Sequence, residues 1–193
     1  MNTPNKLTIL RVALTPVFLA LLLWDFPYHY LLALAVFIAA SLTDYFDGSL
    51  ARKRNLVTDF GKFMDPLADK MLTTAAFLGF IELRLGYGVV WVAFIVLMRE
   101  FSITSLRLVA GSGGRVIAAN VWGKTKTVCQ IVAIVSVLVG EAMLNQSLVA
   151  IPVTLFDPVR ACYSTLLWFA ALLTVVSGVT YFWENKGFVS HKK

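Results

Sequence analysis

Residues 44–69 read DYFDGSLARKRNLVTDFGKFMDPLAD, and this stretch joins the end of one apolar run to the start of the next. It places four carboxylates, Asp44, Asp47, Asp65 and Asp69, at the margins of segments that are otherwise greasy. A carboxylate at membrane depth costs roughly 2.5–3.5 kcal/mol. Four left unpaired would cost on the order of 10 kcal/mol, about the whole stability of a typical domain. A divalent cation with an anionic ligand would offset that cost.

Outward from this run, six apolar segments can be marked, at 7–24, 30–50, 66–86, 88–108, 125–144 and 161–183. Each is close to the roughly 20 residues a helix needs to cross a bilayer, and backbone in hydrocarbon has no other way to satisfy its polar groups along an open segment. The pattern predicts an all-α membrane protein of six transmembrane helices forming a single domain over 1–193. Composition agrees: 59% of residues are hydrophobic and 15% charged, against about a quarter charged in soluble domains, which excludes a water-soluble globule. Asp25–His29 separates the first two segments, a tight turn at Leu85–Gly88 the third and fourth, and a longer stretch with Pro152 and Pro158 the last two. Cys129 and Cys162 both fall inside apolar segments and read as packing residues, with no disulfide or metal framework. No small-x-small site follows the first apolar stretch, so no cleavable signal peptide is expected.

With the amino terminus inside, every Lys and Arg except Arg84 and Arg160 falls on the inner side. The positive-inside rule then puts both termini in the cytoplasm and the aspartate run at the cytoplasmic boundary. The net charge of +6 reads as loops facing anionic headgroups and not as a nucleic-acid surface. Trp24, Trp91, Trp168 and Trp183 lie within or near segment ends, as interface anchors do.

Asp44 and Asp47 are three apart and Asp65 and Asp69 four apart, spacings that put each pair on one helix face. A short basic loop between them predicts a helical hairpin with the pairs opposed, and Pro66 in or near the first turn of its helix. Opposed carboxylates form an all-oxygen cage suited to Mg²⁺ or Mn²⁺. Gly48 and Gly61 allow close approach of a helix or a flat ligand, and Arg52 offers a fork for a phosphate oxygen. The alternative is a set of helix-end charges, with Asp65 an N-cap and Arg52-Lys53-Arg54 a solvated positive-inside loop.

These residues resemble a known family. The pattern Asp44-x2-Asp47-Gly48-x2-Ala51-Arg52-x8-Gly61-x3-Asp65-x3-Asp69 matches the signature of the CDP-alcohol phosphotransferases, and the six-helix layout extends the resemblance over most of the chain. The resemblance implies two divalent metal ions held by Asp44, Asp47, Asp65 and Asp69, with Asp69 also the general base. It implies that Gly48, Ala51, Arg52 and Gly61 line a nucleotide and diphosphate site, that CMP is released, and that the protein works as a homodimer in the lipid bilayer.

The acceptor rests on other charges. Arg107, Arg115, Lys124 and Lys126 are more cations than an uncharged alcohol needs and suit an acceptor bearing its own phosphate. Asn5-x-x-Thr8-x-x-Arg11, the stretch from Thr58 to Lys70, Arg99-Glu100 with Arg107, and Gly123-Lys124-Thr125-Lys126-Thr127 resemble the bacterial branch of the family that joins glycerol 3-phosphate to CDP-diacylglycerol. That resemblance places the protein in the bacterial cell membrane with its active site facing the cytoplasm. Asn5, Thr8 and Arg11 either border the site or simply start a helix, and Arg99 is either a ligand contact or a partner of Glu100. Serine, inositol phosphate and phosphatidylglycerol are the other acceptors, and a cation transporter is the reading from another class. A transporter gives no role to Arg52 and no reason for the carboxylates to gather at one membrane face.

Overall fold

The computed structural model describes residues 3–54, 59–112, 121–145 and 152–185. Those residues form six α-helices and one short 3-10 turn, with no strand among them: α1 (Thr3–Leu23), α2 (His29–Arg54), α3 (Asp59–Glu82), α4 (Val89–Ser112), α5 (Val121–Asn145) and α6 (Phe156–Glu184). Over the described residues, three helices are long and apolar enough to cross a membrane, at Val89–Leu108, Trp122–Asn145 and Phe156–Glu184, and Thr8–Leu23 and His29–Thr43 are shorter apolar helices.

The helices outrun the apolar segments. α2 continues to Arg54 and α3 begins at Asp59. The aspartates therefore lie inside their helices, not at the ends, and Pro66 sits well within α3 beyond its first turn. Asp65 is accordingly not an N-cap. Hydropathy marks the span that wants lipid, whereas hydrogen bonding carries a helix on through polar residues until something stops it. α6 begins at Phe156 for a related reason. Pro158 falls in its first turn, where the missing N–H has no helical partner to lose.

The buried stripe of α1 is Thr8, Arg11, Thr15, Phe18 and Leu22, and that of α6 includes Tyr163, Leu167, Ala170, Thr174, Ser177 and Tyr181. Alternating steps of three and four are the heptad-like spacing that packs helices nearly parallel. Around the bundle, α1 lies against α2 and α3, α3 against α4, α4 against α6, α6 against α5, and α5 against α2. Among the described residues α2 and α3 touch each other only slightly. Both helices pack on α1; the loop that would join them in the expected hairpin, and the aspartate side chains that would face each other, lie outside the described residues.

Close approaches depend on glycines the sequence did not single out. A Cβ at Gly79 would lie 2.4 Å from Leu22 Cδ2, and one at Gly140 2.9 Å from the Tyr163 ring. The turn after α3 is closed by Leu85 N–H donating to Phe80 O (2.8 Å) and Arg84 N–H donating to Ile81 O (3.1 Å), with Arg84 at φ 55°, a Schellman stop. Gly86 follows at φ 90°. Tyr87 then ties the turn to α6, its N–H donating to Ser164 Oγ (3.0 Å) and its carbonyl accepting from Trp168 Nε1 (2.9 Å).

The same end holds the buried carboxylate Glu141, only 1% exposed. Tyr163 Oη donates to its Oε1 (2.5 Å), Asn145 Nδ2 to its Oε2 (2.6 Å), and Arg160 Nε lies 3.6 Å away. This network clamps α5 to α6. Trp24, Trp91 and Trp183 are largely exposed, as interface anchors would be. Cys129 is partly buried against the core, but Cys162 is exposed on α6 and is not the packing residue expected.

Candidate active site

The interior of the bundle changes character along its length. On α1 the buried stripe is polar at Thr8, Arg11 and Thr15 and apolar at Phe18 and Leu22. On α5, Lys126 and Gln130 precede Ala133, Ile134 and Val137, and on α6 Thr174 and Ser177 follow Leu167 and Ala170. Helix direction alternates, so these polar stretches meet at one end, the end that carries the aspartates. Unpaired buried polar groups are costly, so a polar interior over several turns of several helices marks a site and not a core.

At its centre is Glu100 on α4, whose side chain is 12% exposed. Lys70 of α3 places Nζ 2.8 Å from Oε2, Arg99 places Nη1 3.4 Å from Oε1, and Lys126 of α5 also pairs with Oε1. Lys126 is buried and donates to Gln130 Oε1 at 3.2 Å as well. Arg99 reaches across to α6, where Nη2 donates to Ser177 Oγ (2.7 Å), while its buried Nε has no hydrogen-bond partner. Gly178 makes that crossing possible, since a Cβ there would sit 3.2 Å from Arg99 Cγ. Arg99 and Lys70 were counted among inner-side charges; both lie near the middle of their helices and pair inside the bundle.

Arg107, one turn or more further along α4, is held differently. Its Nε donates to Tyr181 Oη (3.0 Å), and its guanidinium carbon is 5.3 Å from the centroid of the Tyr181 ring. Tyr181 is fully buried, so an exposed arginine is fixed by a rigid partner.

The sequence-derived site residues therefore fall into groups. Lys126 joins the cluster around Glu100. Arg107 stands apart on Tyr181, and Lys124 is exposed near the start of α5. Thr8 and Arg11 are buried on α1, and Thr15 Oγ1 donates to the Arg11 carbonyl (2.9 Å). Asp44, Asp47, Gly48, Ala51 and Arg52 lie on α2, Gly61, Asp65 and Asp69 on α3, and Asn5 on α1, with their side chains outside the described residues. Arg115 lies wholly outside them.

Several members were given no role by the sequence reading. Lys70 directly follows Asp69 and ties the aspartate-bearing helix to Glu100. Gln130 could have been found from its four-residue spacing to Lys126 along one helix face. Ser177 and Tyr181 carry no sequence signal, because each acts across helices far apart in the chain. Among the described residues, cations from α3, α4 and α5 thus gather on one carboxylate, and α3 is also the helix on which Asp65 and Asp69 lie.

Comparison with known proteins bears on this geometry. The family model described as CDP-alcohol phosphatidyltransferase matches residues 1–176. The chain is 41% identical over 196 residues to the CDP-diacylglycerol–glycerol-3-phosphate 3-phosphatidyltransferase of Bacillus subtilis (strain 168), covering 95% of each chain. It is 38% identical over 183 residues to a probable phosphatidylglycerophosphate synthase of Mycobacterium tuberculosis (strain ATCC 25618 / H37Rv), covering 93% of this chain and 79% of that one. It is 34% identical over 181 residues to the CDP-diacylglycerol–glycerol-3-phosphate 3-phosphatidyltransferase of Rickettsia bellii (strain RML369-C), covering 94% and 93%.

Proposed function

This chain belongs to the CDP-alcohol phosphatidyltransferase family, and from that premise we propose that it is a membrane transferase of phosphatidylglycerol biosynthesis. It moves the phosphatidyl group of CDP-diacylglycerol to glycerol 3-phosphate, giving phosphatidylglycerol phosphate and CMP. The observation that carries this reading is the 41% identity, over 95% of both chains, to a relative named for that reaction. The cation cluster beside the aspartate-bearing helix supports it.

The donor set Asp44, Asp47, Asp65 and Asp69 is chemically suited to two divalent ions, Mg²⁺ or Mn²⁺, being four hard oxygen ligands in two helix-face pairs. When bound, such ions supply neutralising charge for the diphosphate of the lipid nucleotide. Arg52 and the small residues Gly48, Ala51 and Gly61 border the nucleotide and its diphosphate. Lys126 and Arg107, with Lys124 and Arg115, bind the phosphate of the acceptor, and Asn5, Thr8 and Arg11 close the site from α1. Asp69 takes the proton from the acceptor hydroxyl. The freed oxygen attacks the phosphorus bearing the diacylglycerol. The bond from that phosphorus to the CMP oxygen breaks, and CMP leaves with the electron pair. All six helices span the bilayer with both termini in the bacterial cytoplasm, the site opens to that side, and two copies associate as a homodimer.

The test is an acceptor panel. Purified protein with Mg²⁺ or Mn²⁺ should release CMP from CDP-diacylglycerol when glycerol 3-phosphate is added. Serine, inositol phosphate or phosphatidylglycerol alone should leave it near background. Equal release with any of these would overturn the acceptor assignment.

A further inference from the structure

We infer that Glu100 is a positioning residue that sets the place of the acceptor phosphate relative to the catalytic aspartate, an inference that rests on the acceptor reading above. Glu100 projects from α4 between two helices that make few direct contacts with each other, α3 and α5. Its Oε2 holds Lys70 at 2.8 Å and its Oε1 holds Lys126. Lys70 is the chain neighbour of Asp69, and Lys126 is the buried cation of the acceptor side. One carboxylate thus links the backbone that carries the base to the cation that receives the acceptor.

The chemistry requires a glutamate here. Three cations brought this close repel one another unless an anion stands among them, and the repulsion is strong where water is largely excluded. Glutamine has one acceptor oxygen where Lys70 and Lys126 use two, and it carries no charge to offset their repulsion. Aspartate keeps the charge but is one methylene shorter, and it cannot reach both α3 and α5 from the same point on α4. Arg99 pairs with the same carboxylate and is braced by Ser177 on α6, which fixes the guanidinium on a fourth helix. Glu100 touches no reacting atom in this account; it acts through Lys126 and Lys70.

The experiment compares wild type, Glu100→Gln, Glu100→Asp, Lys126→Met and the double variant Lys126→Met/Glu100→Gln as full-length protein in detergent micelles. Glu100→Gln should raise KM for glycerol 3-phosphate about tenfold or more, the scale of losing a buried charge partner. KM for CDP-diacylglycerol should stay within about twofold, and Glu100→Asp should fall between. The double variant should be no worse than Lys126→Met alone, since coupled residues are not additive. Calorimetric binding of glycerol 3-phosphate without lipid substrate should give the same order without any turnover. Additive losses in the double variant, or a joint rise of both KM values with a fall in Tm, would overturn the proposal. Should Glu100→Gln fold poorly, Glu100→Asp carries the test, and an unchanged acceptor KM there overturns the proposal equally. If wild type turns over a different phosphate-bearing acceptor, the acceptor reading fails, and the same comparison of Glu100 variants is made with that acceptor.

Discussion

Asp69→Asn will lower turnover about 10³-fold, within the range that a positioned general base contributes, while binding of CDP-diacylglycerol persists. The asparagine amide keeps the size of the carboxylate and one oxygen donor, but it cannot accept the proton of the acceptor hydroxyl. Asp69 is set in α3 one residue before Lys70, whose ammonium is anchored on Glu100, so the backbone at this position is held from outside the aspartate run. The variant should therefore be folded and bind lipid nucleotide while failing to react. The check is a pair of measurements on one preparation, CMP release under saturating substrates and equilibrium binding of CDP-diacylglycerol. Turnover within tenfold of wild type would remove Asp69 as the base.

Removing divalent cations will have an effect of similar size. Four carboxylates on two helices that both pack against α1 cannot sit near a diphosphate without positive charge between them. The cations around Glu100 do not substitute, because that carboxylate offsets part of their charge and Lys126 serves the acceptor phosphate in the proposed reaction. Chelation should lower CMP release more than about 100-fold, given the worth of charge stabilisation in such sites. Added Mg²⁺ or Mn²⁺ should restore it, and Ca²⁺, which prefers longer and more numerous oxygen contacts, should restore it poorly. Full activity after exhaustive chelation would contradict the role given to the four aspartates.

Much of this was legible in the chain. The all-α class and the number of helices followed from apolar length, although among the described residues only three helices are long and apolar enough to span a membrane, and the family followed from the spacing of eight residues between Asp44 and Asp69. Helix ends were less legible, because α2 runs on to Arg54 and α3 starts at Asp59 through residues with no hydropathic signal. The packing of both α2 and α3 on α1 was not legible either, since the sequence does not say which helices will be neighbours. Neither was the clamp at Glu141, where Tyr163 and Arg160 approach from another helix.

The acceptor side shows the same divide. Lys126 and Arg107 were visible as cations without an evident solvent role. Their partners were not, because Glu100 and Tyr181 reach them across helices. Lys70 was hidden for a different reason. A lysine among other basic residues is the commonest thing a membrane protein offers, and its 2.8 Å contact with Glu100 is what gives it a place in the cluster.

The central claim is that the phosphatidyl group passes to glycerol 3-phosphate, and tracing the acceptor tests it most directly. Purified enzyme with CDP-diacylglycerol, Mg²⁺ and glycerol 3-phosphate labelled in its phosphate should transfer the label into the lipid phase, one equivalent for each CMP released. Label that stays in the aqueous phase while CMP accumulates would contradict the account.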